Sequence, residues 1–262
     1  MPRRPAFSDH FSATAARYAR LRPNYPPRLF SYLAGIAPSR RRAWDAGAGN
    51  GQASRALARH FREVVATDAS AEQIARARPH PRVTYRVAPA EKSGLSAESA
   101  DLVTAAQAAH WFDLPRFWRE VRRVLVPGGA VAIWCYELFR VGPRVDAVVA
   151  RFYRDVVGPY WPPERKLVET GYRTVEFPFE ELAPPRFEMR RRWSLPRVLG
   201  FLSTWSAVQR FRQSTGEDPV AAIRPELAKA WGPSGGARTL RWELALRVGR
   251  RPRGSPSAPR NP

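Results

Sequence analysis

Residues Asp45-Ala-Gly47-Ala-Gly49-Asn-Gly51-Gln52 set an acid two positions ahead of glycines that recur at every second place. Glycine reaches backbone conformations closed to other residues and has no side chain to hold a neighbour away. Such a run predicts a tight loop whose backbone a small ligand can touch. On its N-terminal side Arg42-Ala43-Trp44 is a short strand candidate, and on its C-terminal side Ala53, Leu57 and Phe61 fall on one helical face. Strand, glycine loop and helix in that order predict a βα unit with its ligand at the carboxyl end of the strand.

Two ligand classes use such a unit. A dinucleotide fold wants G-x-G-x-x-G/A, with a third small residue where helix and strand pack and a pyrophosphate on the helix N-terminus. Here Gln52 stands at that third position. The acid before the glycines would repel a pyrophosphate, whereas it suits a ligand with an ammonium group. That balance favours S-adenosylmethionine, which carries a sulfonium and an amino group and no phosphate. A second marker is Val64-Val65-Ala66-Thr67-Asp68, a buried-strand pattern ending in a carboxylate 23 residues beyond Asp45. An acid there is placed to accept hydrogen bonds from both ribose hydroxyls.

Further along, Val83 to Glu91 reads as a third strand and its loop, Asp101 to Asp113 as a fourth strand and a loop containing Gln107, His110 and Trp111, and Leu125 to Trp134 as the turn into a fifth strand. Over residues 40–136 these motifs, in this order, resemble the class I S-adenosylmethionine-dependent methyltransferases. Tyr18-Ala-Arg-Leu-Arg22-Pro23-Asn-Tyr25-Pro26 and Gln107-Ala-Ala-His110-Trp111-Phe112-Asp113 resemble its small-molecule branch, which includes trans-aconitate methyltransferase-like proteins. The resemblance implies an α/β fold: a doubly wound, seven-stranded, mostly parallel Rossmann-like sheet with an N-terminal helical segment and a C-terminal cap insertion.

It also implies roles by position. Gly47, Gly49 and Gly51 would meet the methionine part of the cofactor, and Asp45 would orient the loop or reach the amino group through water. Asp68, followed by Ala69, would take the ribose, while Ala90 and Glu91 follow the adenine-side loop. Pro89 departs from the acid often found there, so backbone contact with the adenine is expected instead. Gln107, His110 and Trp111 fall where the family arranges groups around the transferring methyl. Tyr18 would lie over the cofactor, and Tyr25 with Trp111 would line the acceptor pocket; alternatively the two tyrosines pack between helices. His110 is the general-base candidate, since imidazole titrates near neutrality. No Asn-Pro-Pro-Tyr motif and no Pro-Cys pair is present in this region, which leaves O-, S- or carboxyl methylation of a small molecule as the expected chemistry.

The chain of 262 residues is long enough for one methyltransferase domain over 1–250. Within it, 1–39 reads as a helical lid, 40–136 as the cofactor core and 137–250 as cap and last strands, and 251–262 is a basic, Pro- and Ser-containing tail expected to be disordered. Expected strands at 186–193 and 238–248 flank helices at 196–205 and 219–231. Trp161, Trp193, Trp205 and Trp231 would form either an acceptor pocket or the cap's own core. The lone Cys135 excludes an internal disulfide and a cysteine zinc cluster, and no metal is expected. With no apolar run of membrane-spanning length and no secretory leader, a soluble cytoplasmic protein, monomer or homodimer, is expected.

The formal net charge of +21 raises nucleic acid as a partner. Its distribution argues for a solvated surface: residues 1–44 hold nine basic side chains against Asp9, while 45–137 hold twelve against ten acids. Arg190-Arg191-Arg192 would be either a solvated strand edge or an attractant for an acidic acceptor. Two other readings stay open, an RNA methyltransferase and a cofactor-binding protein without catalysis.

Overall fold

The structure is a computed structural model that describes residues 23–233 and 236–253. Tyr18 lies outside the described residues, as do the rest of the N-terminal arm and the tail from residue 254. By contacts the chain divides into two compact units. One, the core unit, holds Tyr25–Cys135, Thr170–Phe187 and the residues from Ala245 on; the other holds Tyr136–Glu169 and Glu188–Leu244.

The core unit is built from strands β1 (Arg42–Ala46), β2 (Glu63–Asp68), β3 (Val83–Val87), β4 (Ala100–Ala106) and β5 (Leu125–Tyr136). Pairs β1–β2, β1–β4, β2–β3 and β4–β5 are parallel. Runs such as Val64-Val65-Ala66 and Ala130-Val-Ala-Ile-Trp-Cys135 are buried along their length, the pattern of a sheet covered on both faces. Trp44, fully buried on β1, donates from its indole nitrogen to Thr67 Oγ1 on β2 at 2.9 Å, so its polar end is satisfied inside the sheet.

Helices follow the strands as the periodicity predicts. Helix α1 (Pro27–Ile36) starts on a proline and buries Leu29, Phe30, Leu33 and Ala34. Helix α2 (Gln52–Leu57) leaves the glycine loop directly, and Ala53, Leu57 and Phe61 are buried as their spacing requires. Ser70 caps α3 (Ala71–Ala75) and Asp113 caps α4 (Leu114–Val124), each side chain accepting a first-turn backbone N–H.

Among the described residues the sheet has eight strands rather than seven. The path runs β3-β2-β1-β4-β5-β8-β6, and β7 pairs with β8 off that path. Strand β6 (Glu180–Leu182) is the addition; it pairs antiparallel with the end of β8 (Arg238–Arg250), Leu182 opposite Val248. Three residues, two of them acidic, carry no alternation to announce a strand. Past β8, Arg251 stays on the sheet: its N–H donates to the Gly129 carbonyl at 2.8 Å and its side chain meets Glu98 at 2.7 Å.

The second unit contains α5 (Pro143–Arg151), continuing into a π-helical turn over Phe152–Val156, then α6 (Arg165–Glu169), β7 (Phe187–Trp193), α7 (Leu195–Leu202), α8 (Ser206–Thr215) and α9 (Pro219–Trp231). Trp193, Phe201, Phe139 and Trp242 pack ring edge on ring face at 5.2 to 6.1 Å, all but buried. Trp231 is buried too, so Trp193 and Trp231 serve this unit's own core. Half-buried Trp161 and Trp205 meet at a tilt with ring centroids 5.6 Å apart, and the Arg165 guanidinium lies 4.7 Å over the Trp161 ring. Arg191 donates to the Asn24 carbonyl at 2.9 Å and Arg190 pairs with Glu188, while Arg192 is exposed. Among the described residues no helix is long and apolar enough to cross a membrane.

Candidate cofactor-binding site

The glycine loop turns at the carboxyl end of β1 with all three glycines in the left-handed region, φ +65° at Gly47, +54° at Gly49 and +81° at Gly51. Their steric reasons differ. A Cβ on Gly47 would lie 2.6 Å from Ala108 Cβ and 2.9 Å from the Phe112 ring, and one on Gly51 would lie 2.2 Å from the Tyr85 hydroxyl. At those two positions the protein itself closes on the backbone. On Gly49 the nearest described atom would be Gln73 Oε1 at 3.8 Å, an ordinary van der Waals contact, so among the described residues nothing clashes there.

Asp68 ties this loop to the next. Its Oδ2 accepts the Gly49 N–H at 2.8 Å and its Oδ1 accepts the Ser70 N–H at 2.9 Å, so the half-buried carboxylate joins the β1 and β2 turns. Ala69, beside it, is exposed. Asp45 is different: it is fully buried, Oδ2 accepting from Ser54 Oγ at 2.6 Å and Oδ1 from Thr104 Oγ1 at 2.8 Å. The strand register makes the second bond, because Asp45 and Thr104 are partners across β1 and β4. Burial lifts the Asp45 carboxyl to about 6; the two hydroxyls pull it down, and the nearby Asp68 charge pushes it further up. The side chain of Asp45 therefore acts on the loop's shape from beneath.

Ala90 is buried on the β3 loop, and Pro89 is exposed. Glu91 Oε1 accepts the Asp113 N–H at 2.7 Å, fastening that loop to the start of α4. After β4, Gln107 holds φ +55°, a conformation unusual for a residue with a side chain, and its N–H donates to the Trp134 carbonyl at 2.8 Å. His110 and Trp111 follow in a single 3-10 turn, rings 4.7 Å apart, with His110 buried and Trp111 half-buried. Tyr25 packs edge-on against Trp134 at 5.4 Å and Phe30 at 6.4 Å.

Asp45, the glycine loop, Asp68, Ala69 and Gln107 to Trp111 thus stand at the carboxyl ends of β1, β2 and β4, where ligands of open α/β sheets bind. Sequence reasoning missed Tyr172, whose hydroxyl lies 2.9 Å from His110 Nδ1. No local signal points to it, since the two are 62 residues apart. The set fits a ligand with a diol: the half-buried Asp68 carboxylate at the end of β2 beside the backbone N–H groups of the glycine loop, with Asp45 shaping that loop from within the core. Among the described residues no group of three His, Cys, Asp or Glu side chains converges to hold a metal ion.

Comparison with known proteins adds to this geometry. A family profile described as a methyltransferase domain matches residues 44–133. A protein of Dictyostelium discoideum named as a methyltransferase is 34% identical over 244 residues, which are 92% of this chain and 93% of that protein. One of Saccharomyces cerevisiae, named as an S-adenosylmethionine-dependent methyltransferase, is 30% identical over 145 residues, 52% of this chain and 49% of that one. A solved structure from Anaeromyxobacter dehalogenans, described as a type II methyltransferase, is 51% identical with a TM-score of 0.83 and covers 88% of this chain and 98% of its own.

Proposed function

Because the chain belongs to the S-adenosylmethionine-dependent methyltransferases, we propose that its acceptor is a small molecule bearing a carboxylate or a hydroxyl, as in the trans-aconitate-like branch. The observation that carries this reading is the loop after β4: it presents one buried imidazole and two aromatic neighbours, Trp111 and Phe112, in place of an amino-group motif. S-adenosylmethionine supplies an activated methyl group on a sulfonium.

The chain's residues supply binding and alignment. Asp68 holds the ribose hydroxyls while pinning Gly49, whose uncrowded backbone admits the methionine part. Ala69 follows Asp68 at the ribose, backbone at Ala90 borders the adenine, and Asp45 keeps the loop in register through Ser54 and Thr104. Gln107 borders the cofactor beside the transferring methyl, and Trp111 borders the acceptor with the apolar surface that excludes water. For a hydroxyl acceptor His110 removes the proton; a carboxylate acceptor arrives already ionised and needs no base.

Calorimetric titration with S-adenosylmethionine tests the first half of the reading. Micromolar binding that Asp68→Ala weakens at least about 10-fold is the expected result, the order of a lost charge-assisted pair of hydrogen bonds. A screen of small carboxylic acids and alcohols, read by mass of the methylated product, tests the second. Turnover restricted to tRNA or rRNA would overturn it in favour of the nucleic-acid reading.

A further inference from the structure

Tyr172 reaches His110 from a strained turn. Its φ is +61°, in the left-handed region that a bulky residue enters only when its surroundings impose it. Three features of the core unit impose it. The preceding Gly171 is also left-handed, at φ +58°, and a Cβ there would lie 2.8 Å from Ala245 Cβ, so β8 backs directly onto the turn. Arg247, two residues along β8, donates from one terminal nitrogen to the Tyr172 carbonyl at 2.8 Å and the Val175 carbonyl at 2.6 Å. That guanidinium is itself held by Glu181 on β6, 2.9 and 3.1 Å, and lies 4.6 Å over the Phe177 ring.

What this construction delivers is one phenol oxygen, buried, 2.9 Å from one nitrogen of the buried imidazole. The ring planes of the two side chains lie within 29° of each other, and Trp111 flanks the imidazole. A neutral imidazole carries a single proton, and the hydrogen bond made by one nitrogen decides which nitrogen holds it. A base must offer the other nitrogen to its substrate.

We propose that Tyr172 is the positioning residue of His110: its oxygen accepts the Nδ1–H bond, which commits the ring to one tautomer and gives proton exchange with the acceptor to Nε2. The strained turn and the Arg247 clamp exist to hold that oxygen in place. This rests on the reading of His110 as a base, and it names the group that makes the base competent.

Nitrogen-15 NMR of the full-length chain tests it. There are four histidines, and His110 is assigned by its loss in His110→Gln. Multiple-bond spectra separate protonated from unprotonated ring nitrogens. The neutral wild-type ring is expected to carry its proton on Nδ1, and Tyr172→Phe, which removes only the oxygen, is expected to release a second tautomer. With an acceptor in hand, the same variant should lower kcat about 10–100-fold, within the range of general-base contributions, and leave the KM for cofactor unchanged. A wild-type ring protonated on Nε2 overturns the proposal even if the variant does not fold, and so does an unchanged tautomer in Tyr172→Phe. Neither spectrum needs cofactor or acceptor, so failure of S-adenosylmethionine binding is a separate result bearing on the functional reading alone.

Discussion

Asp45→Asn is expected to stabilise the protein at neutral pH and destabilise it in acid. The carboxyl is fully buried and titrates at about 6, against 3.8 when unfolded. The folded chain therefore binds this proton more tightly than the unfolded one. Stability from the group is complete below the unfolded value and is lost as the pH rises through about 6. A difference of about two units corresponds to about 3 kcal/mol. Asparagine escapes that loss but must re-make two bonds: its carbonyl still accepts from Thr104 Oγ1, while its amide faces Ser54 Oγ and obliges that hydroxyl to accept. The exchange costs about 1 kcal/mol. Relative to wild type, the variant should gain about 2 kcal/mol at pH 8 and lose about 0.5 kcal/mol at pH 4, where the unfolded carboxyl is already partly ionised. Urea unfolding at a series of pH values, followed by tryptophan fluorescence, reads this as a midpoint difference that changes sign. With a slope of about 3 kcal/mol per molar urea, the total swing is about 1 M. A midpoint difference constant from pH 4 to 8 would refute the reasoning, since it would mean that Asp45 does not titrate in this range.

Three further outcomes follow from the geometry. Alanine at the loop glycines should lower the melting temperature in the order Gly47, Gly51, Gly49. Gly47→Ala meets the immovable Ala108 Cβ, Gly51→Ala meets a tyrosine that can swing aside, and Gly49→Ala meets only the left-handed strain of about 1–2 kcal/mol. Equal losses at Gly47 and Gly49 would contradict the packing account, and Gly49→Ala should still weaken cofactor binding because its methyl stands where the methionine part of the cofactor would lie. Glu120→Gln should cost about 2 kcal/mol at neutral pH by thermal or urea unfolding, because the buried carboxylate accepts from the Ser93 N–H, Ser93 Oγ and Arg123. Burial pushes this carboxyl up, but the bonds from Arg123 and Ser93 outweigh it and hold it low, so the stability it confers is present above its unfolded value and fades in acid. Two of the buried carboxyls, Asp45 and Glu120, thus bend the pH dependence in opposite senses.

Much of the site can be read in the chain because its signals are local. Glycines at every second position, an acid at each of two strand ends and helix caps at Ser70 and Asp113 all act within a few residues of where they stand. The cap region is harder. Trp193 and Trp231 are as compatible with a pocket as with a core until packing assigns them, and β6 is too short to carry a period.

The sequence alone determined the βα order, the glycine loop, the cofactor class and the loop after β4 that holds His110. Backbone conformation and alternating burial are short-range properties, written in spacings of two to four residues. Only tertiary structure decided that Asp45 faces Thr104 across the β1–β4 register and is thereby buried and pinned, that Gly47 and Gly51 are closed upon by the protein and Gly49 is not, and that Tyr172 meets His110. Those facts depend on which strand lies beside which and on how β8 presses on the Gly171 turn. Such contacts join residues dozens of positions apart, and no local pattern encodes them.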